Sequence, residues 1–483
     1  MNQNPKIIEM KRREAFKRLI NLCLTGFCLI VEVVAFTYVY LKWLYPSMDN
    51  LKDLNYWFKG YLLQIILYAV LLLFFSKMYG GVRIGYLKNS EVIFSQVFAT
   101  LIVNILTYVQ MSLMVTDLFT PVPFVIMMLL QTIVIIIWIT IANKIYQKVF
   151  PPRKLMLIYG SRSADDIVRK FVRRKDKYTV VSCVSVSKGL EALKEEILRG
   201  YESGEHSAVV IWDVTAEQRN TLLKFCYSHS IRFYTMPKVS DVILLGAEEL
   251  HLFDTPILLT REYSMTMEQR FIKRMIDVIC SLILLIIASP FMLITAIAIK
   301  LYDGGPVLYK QVRCTVGGKE FQIMKFRSMR TDAEKDGVAR LAKKNDDRIT
   351  PIGRFIRKVR IDELPQLINI LMGDMSFIGP RPERPQIIAQ YMEIMPEFAY
   401  RMKVKAGLAG YAQVYGKYNT TPYDKLKLDL TYIENYSVWM DIKLMLLTLK
   451  ILFWPDSTEG VETEQVTALR KEYEQDNEFG NKF

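Results

Sequence analysis

Apolar residues gather in four long runs through the first part of this chain, and then the period changes. Runs at about 19–41, 60–76, 92–115 and 122–142 each approach the ~20 residues needed to cross a hydrocarbon core. Glu32 interrupts the first run at mid-depth. An intramembrane carboxylate is a candidate functional site; the alternative is a hydrogen-bonded group inside a helix bundle. From 154 to about 262 short apolar runs alternate with amphipathic ones. LMLIYG, TVVSCVSV, AVVIWDV and IRFYTM read as strands; SADDIVRKFVRR, LEALKEEILRGY and EQRNTLLKFCYSHS read as helices. That alternation predicts a parallel, Rossmann-like sheet with right-handed crossovers. Its first turn offers Gly160-Ser161-Arg162-Ser163-Ala164, one glycine where a dinucleotide site needs GxGxxG, so a structural, regulatory or dimerising domain is the expectation.

A fifth apolar run, 278–299, is also long enough to span. Proline removes a helix hydrogen bond and clashes with the preceding turn. Ser289-Pro290 therefore allows the run to enter and return to one face, and an ordinary kinked transmembrane helix is the alternative. Charge bears on this choice. Lys6, Lys11, Arg12, Arg13, Lys17 and Arg18 precede the first run. Lys77, Arg83 and Lys88 follow the second, and Lys144, Lys148, Arg153 and Lys154 follow the fourth. The TDLFTP loop has no Lys or Arg, so the positive-inside tendency places residue 144 and the chain beyond it in the cytosol. Residues 300–362 hold 16 Lys/Arg against 8 Asp/Glu, and a crossing at 278–299 would export them. The net charge of +14 suits anionic lipid and phosphate ligands rather than nucleic acid in a chain with such runs. No cleavable signal peptide is expected, because the first run is too long for one.

The six cysteines are scattered without CxxC and read as reduced, packed thiols. All three histidines precede residue 264, so chemistry beyond it falls to carboxylates, Lys, Arg and hydroxyls. Asp362-Glu363 follows Arg354, Arg357, Lys358 and Arg360. Cations of this kind hold phosphates and keep a carboxylate ionised. An ionised Asp can attack phosphorus, and a hard divalent metal, Mg²⁺, would take oxygens from a carboxylate and a diphosphate. A helix-start acid pair bridged to the arginines is the alternative. PQLINILMGDMSF fits either an amphipathic helix at a membrane surface or a core helix. Gly379-Pro380-Arg381-Pro382 predicts a rigid loop presenting an arginine.

Several motifs stand in fixed order: KR-x-x-D before the Ser-Pro run, GPVLYKQ, KFRSM, DELPQL, GDMSFIGPRP, GLAGYAQV and DLTYIENYS. Over roughly 268–452 this resembles the bacterial sugar transferase family, the monotopic phosphoglycosyl transferases. The layout resembles its long polyprenyl-phosphate hexose-1-phosphate transferases of exopolysaccharide and capsule synthesis. The resemblance implies a membrane protein of the bacterial cytoplasmic membrane. It would have a four-helix transmembrane bundle (1–150), a Rossmann-like α/β middle domain (151–263), an α/β catalytic domain on the cytosolic face (264–455) and a polar tail (456–483). The catalytic domain would carry a re-entrant membrane helix at about 270–300, broken at Ser289-Pro290. It further implies Asp362 as nucleophile and Mg²⁺ ligand, and Glu363 as helper in proton transfer or metal geometry. Lys325, Arg327, Arg357 and Pro380-Arg381-Pro382 would bind substrate. A UDP-sugar, glucose or galactose by preference, would lose UMP, and undecaprenyl phosphate would accept the phosphosugar. A homo-oligomer, such as a dimer, is compatible, and a membrane-anchored scaffold with an inactive transferase domain is the rival reading. Three departures from the family pattern occur: Thr315 for the first glycine of RxGxxGK, Asp346-Asp347 before Arg348-Ile349-Thr350, and Ala406 for the proline of VKPG.

Overall fold

The computed structural model describes residues 14–44, 60–115, 118, 120–160, 162, 164–252, 254–260, 264–331, 346, 348–416 and 420–453. The expected tail at 456–483 and the cations before residue 14 lie outside them. The chain forms two compact units, divided between Met236 and Pro237.

In the first unit, four helices match the apolar runs: α1 (Lys17–Val39, continued by a π turn over Tyr40–Leu44), α2 (Gly60–Tyr79), α3 (Asn89–Val115) and α4 (Val122–Val149). Each is long and apolar enough to cross a membrane. Without water, polar groups in such helices must find each other. Glu32 is fully buried and accepts from Gln96 Nε2 (2.8 Å), Thr100 Oγ1 (2.6 Å) and Cys28 Sγ (3.4 Å). Gln131 Nε2 donates to the Glu32 carbonyl and to Tyr68 Oη, which donates to Asn104 Oδ1, while Asn104 Nδ2 returns to Gln131 Oε1. All four helices contribute, so Glu32 is a hydrogen-bonded node of their packing.

Next come β1 (Arg153–Tyr159), α5 (Ala164–Val172), β2 (Tyr178–Ser185), α6 (Leu190–Glu202), β3 (Ala208–Trp212), α7 (Ala216–Ser228) and β4 (Arg232–Thr235). The strands form a parallel sheet in the order β2-β1-β3-β4. β1 and β3 are buried on both faces, as their continuous apolar sequences require. The sheet stands on the helix ends. Glu14 pairs with Arg153 and Arg232 at the starts of β1 and β4. Arg174 donates to the Tyr86 carbonyl, and the Lys17 ammonium lies 5.4–5.8 Å from the rings of Tyr86, Tyr146 and Phe150. At the opposite pole Gly160 meets Asp213 so closely that a Cβ would fall 1.9 Å from the Asp213 carbonyl.

The second unit begins earlier than the sequence boundary at 263–264. Helix α8 (Val239–Leu245) buries Val242 in the catalytic core, and Gly246 abuts Glu434, which draws this segment out of the middle domain. A two-stranded antiparallel hairpin, β5 (Glu248–Leu252) and β6 (Thr255–Leu259), follows.

Helix α9 (Met267–Asp303) opens with a Thr266–Gln269 capping box and runs on through Ser289 and Pro290. The expected break at Ser289-Pro290 is thus not a loss of helix: the proline lies inside a continuous helical segment. Both ends of α9 root in the catalytic unit. At one end Lys273, Asp277 and Ser281 are buried; at the other Thr295 and Ile299 are, with Ile299 against Phe326 and Ile356. Between them the apolar side chains at 282–284, 286–287, 291 and 293–294 are exposed.

The hairpin β7 (Leu308–Cys314) and β8 (Glu320–Phe326) pairs antiparallel, with Tyr309 opposite Lys325. Its turn puts Gly317 at φ 66° and Gly318 at φ 76°, a left-handed pair that needs glycine. Then come α10 (Pro351–Lys358), α11 (Gln366–Met372) and a two-stranded parallel pair, β9 (Ser376–Ile378) with β10 (Gly407–Ala409). Helices α12 (Pro422–Glu434) and α13 (Val438–Leu452) complete the core. Of the two readings of PQLINILMGDMSF, core packing holds: Gln366, Leu367, Asn369 and Ile370 are buried.

Candidate active site

Thr350 caps α10, its Oγ1 accepting from Gly353 N at 2.9 Å, and Pro351 occupies the first turn. The helix ends at Val359, and Arg360 takes a left-handed conformation (φ 61°). For a residue with a Cβ this costs roughly 1–2 kcal/mol, the kind of strain that collects at functional sites. The turn swings the chain into a short 3₁₀ segment, Ile361–Glu363, which carries the acid pair.

The two carboxylates meet opposite surroundings. Glu363 Oε1 accepts from Lys325 Nζ (3.1 Å) and Arg381 Nη2 (2.8 Å), and Arg360 Nη1 stands 3.7 Å from Oε2. Burial alone would raise its pKa, but Lys325, Arg381 and Arg360 together hold it well below the ordinary carboxylate range. Asp362 Oδ1 is buried with no hydrogen-bond partner. Burial, then the charge of Glu363, pushes Asp362 up to about 6, against the pull of Lys325, Arg357 and Arg360. One acid is pinned and ionised; its neighbour keeps a free oxygen among cations.

The loop presenting Arg381 is clamped along its backbone. Gly379 N donates to the Ala409 carbonyl and Gly407 N to the Pro380 carbonyl, both at 2.9 Å. A Cβ on Gly379 would lie 2.3 Å from the Lys405 carbonyl, so only glycine allows this approach. Arg401 Nη2 donates to the Arg381 carbonyl (3.0 Å) and Arg313 Nη1 to the Pro382 carbonyl (3.2 Å). Behind them Arg401 pairs with Asp429 at 2.8 Å, and Glu383 is met by Lys425 (2.5 Å), Arg313 and Arg401.

Lys325, Arg357, Arg381, Asp362 and Glu363 thus share one electrostatic cluster. Arg327 is directed elsewhere: its Nη2 pairs with Asp303 at the end of α9. Ser289 and Pro290 lie on the exposed stretch of α9. Arg313, Arg401, Asp429 and Glu383 were not anticipated as site residues. An aspartate within the buried DLTYIENYS helix was the available signal, since such a group needs a cation brought from elsewhere.

Two departures from the family pattern meet in space. Thr315 Oγ1 donates to the Asp374 carbonyl (3.0 Å) and accepts from Ala406 N (3.1 Å). A glycine would lack the hydroxyl and a proline the N–H, so the two changes belong to one contact. Of the third departure, Asp346 chelates the Arg348 guanidinium, while Asp347 lies outside the described residues.

The KR-x-x-D motif roots α9. Lys273 Nζ donates to Asp441 Oδ2 (2.6 Å), the Ile378 carbonyl (2.9 Å) and Tyr432 Oη (3.2 Å). Arg274 donates to the Ile370 and Leu371 carbonyls at 2.7 Å, satisfying the end of α11. Asp277 Oδ1 accepts from Ser376 Oγ and Phe377 N, both at 2.9 Å.

Comparison with known proteins bears on the second unit. The family described as bacterial sugar transferase matches residues 268–455. A UDP-N-acetylgalactosamine-undecaprenyl-phosphate N-acetylgalactosaminephosphotransferase of Aeromonas hydrophila is 43% identical over 185 residues, 38% of this chain and 44% of that protein. A UDP-glucose:undecaprenyl-phosphate glucose-1-phosphate transferase of Caulobacter vibrioides is 40% identical over 190 residues, 38% of this chain and 71% of that protein. The uncharacterized sugar transferase EpsL of Bacillus subtilis is 40% identical over 202 residues, 41% of this chain and 95% of that protein. The match spans less than half the length of the Aeromonas protein. With nearly the whole of EpsL and most of the Caulobacter enzyme covered, the chain belongs to the bacterial sugar transferase family.

Proposed function

We propose that this chain transfers a hexose-1-phosphate from a UDP-sugar to undecaprenyl phosphate, as the first step of exopolysaccharide or capsule synthesis. The observation carrying the proposal is the unpartnered Oδ1 of Asp362 beside a fully engaged Glu363. The names of the Aeromonas and Caulobacter relatives, which specify a UDP-sugar donor and an undecaprenyl phosphate acceptor, support it. Asp362 attacks the sugar-bearing phosphorus; the bond from that phosphorus to the bridging oxygen breaks, and UMP leaves with the electron pair. An oxygen of undecaprenyl phosphate then attacks the same phosphorus, the acyl-phosphate bond breaks, and the Asp362 carboxylate is restored. A carboxyl raised to about 6 is still mostly ionised at neutral pH and is a better nucleophile than an ordinary aspartate. Glu363, held ionised, serves as the pin that gathers Lys325, Arg381 and Arg360 for the diphosphate.

Among the described residues no cluster of three His, Cys, Asp or Glu could cage a metal ion. Mg²⁺ is commonly held by one or two carboxylates with substrate phosphates, and Asp362, with its free oxygen, fits that mode. When bound there it would neutralise charge on the phosphates.

The same proposal makes α9 re-entrant and places the catalytic unit on the cytosolic face. A straight helix would carry Ile299 roughly 37 Å from Arg274. Yet both residues root in one unit, with exposed apolar surface and Pro290 between them. A reporter fused after Phe453 is expected to read cytosolic in cells; an external signal there overturns the re-entrant helix.

For the reaction, membranes bearing Asp362→Asn are expected to release no UMP from a panel of UDP-sugars with undecaprenyl phosphate. Undiminished release would sink the proposal. Release of UDP instead would make the enzyme an ordinary glycosyl transferase.

A further inference from the structure

One buried group near the dyad takes no part in holding the carboxylates or the arginine loop. Gln366 is 3% exposed, and its Nε2 has no hydrogen-bond partner. A buried donor left unpaired is costly, and native structures keep few of them.

Its place in the fold is well defined. Helical backbone continues from the 3₁₀ segment through Leu364 (φ −57°) and Pro365 (φ −60°) into α11. Residues three and four apart on such a run are neighbours. Gln366 is therefore one turn from both Glu363 and Asp362. Glu363 and Asn369, three residues to either side, both engage β8. Glu363 takes Lys325, while Asn369 Oδ1 accepts from Met324 N (3.0 Å) and its Nδ2 donates to the Gln322 carbonyl (2.9 Å). In this row the outer two members are satisfied and the middle one is not. An amide at this depth can satisfy itself on the strand, as Asn369 does. Gln366, with its idle donor, follows Asp362, with its idle acceptor, by four residues, one turn of helical backbone.

We infer that Gln366 is a substrate-binding catalytic residue whose Nε2 donates to a non-bridging oxygen of the sugar-bearing phosphate as Asp362 attacks. This rests on the proposed role of Asp362. The oxygens of that phosphate carry the charge of the displacement, and a donor fixed beforehand stabilises it without reorganisation. The side chain contributes a neutral donor, so it adds to the field of Lys325 and Arg381 without repelling them.

The test uses the full chain in nanodiscs with undecaprenyl phosphate and whichever of UDP-glucose, UDP-galactose and UDP-N-acetylgalactosamine gives the wild type most UMP. Gln366→Met keeps the length and removes the amide. It should raise Tm or leave it unchanged, because no native hydrogen bond is lost. It should lower kcat about 100- to 1,000-fold with little change in KM, the size seen when one such donor is removed. Activity within twofold of wild type overturns the inference. A fall in Tm with proportionate loss of activity also overturns it, since Gln366 would then be packing. Should Gln366→Met fail to accumulate, Gln366→Glu, of the same shape but without the donor, is expected to show the same kcat loss, and a wild-type rate overturns the inference. Asp362→Asn is run alongside. If it is dead while Gln366→Met is fully active, this inference alone fails. If Asp362→Asn is active, the reading of the whole site fails.

Discussion

Two buried acid clusters in the catalytic unit invite comparison: the root of α9 and the Asp362 dyad. At the root, Lys273, Arg274, Asp277 and Asp441 have partners at 2.6–2.9 Å. At the dyad, Glu363 has more cations than it can neutralise, while Asp362 Oδ1 and Gln366 Nε2 have no hydrogen-bond partner. Residue type does not separate the two; both combine Lys, Arg and Asp. The count of satisfied atoms does. A cluster that closes on itself holds a fold together, and one left open awaits a ligand.

Breaking the closed cluster should cost most in stability. Lys273→Met strands Asp441 and is expected to destabilise the catalytic unit by about 3–5 kcal/mol, read as a large fall in Tm and in yield. A small fall would deny the root its structural role. Breaking the open cluster should cost rate instead. Glu363→Gln releases Lys325 and Arg381 and is expected to slow UMP release about 100- to 1,000-fold with a smaller change in Tm.

The pH profile distinguishes the two clusters again. Below its pKa Asp362 is protonated and cannot attack, so the wild-type rate should fall with acid through about 6. Burial is the larger cause of that value and Glu363 the next, so Glu363→Gln should shift the acid limb to lower pH. A limb that stays put in that variant would deny the coupling. The smallest effect belongs to Thr315 and Ala406. Thr315→Gly and Ala406→Pro each remove the same hydrogen bond, worth about 1 kcal/mol. The double variant is expected to cost less than the singles added together, in a thermal double-mutant cycle. Strict additivity would break the link between the two departures.

What was legible in the sequence had local causes. A span is an apolar length, and α1 to α4 lie where the runs are. A parallel sheet follows from alternating periods, and β1 to β4 lie where the short runs are. Asp362 and Glu363 were visible as an acid pair among cations, and Arg381 as the arginine of a proline loop. What stayed hidden depends on distant partners. Lys273 and Asp441 are 168 residues apart, and neither position announces the other. Arg327 shares a motif with Lys325 but lies just past the end of β8, and it reaches Asp303 instead of the dyad. The segment around Val242 has no periodic feature that assigns it; its burial in the catalytic core does.

The contact between the sheet and the first four helices has a mechanical consequence. Glu14, Arg153, Arg232, Arg174 and the rings around Lys17 fasten the strands at their starting ends. The other pole, at Gly160 and Asp213, stands about 20 Å away at ~3.3 Å per strand residue. A load applied there acts through that length as a lever, and the fastened base passes the torque to the helices.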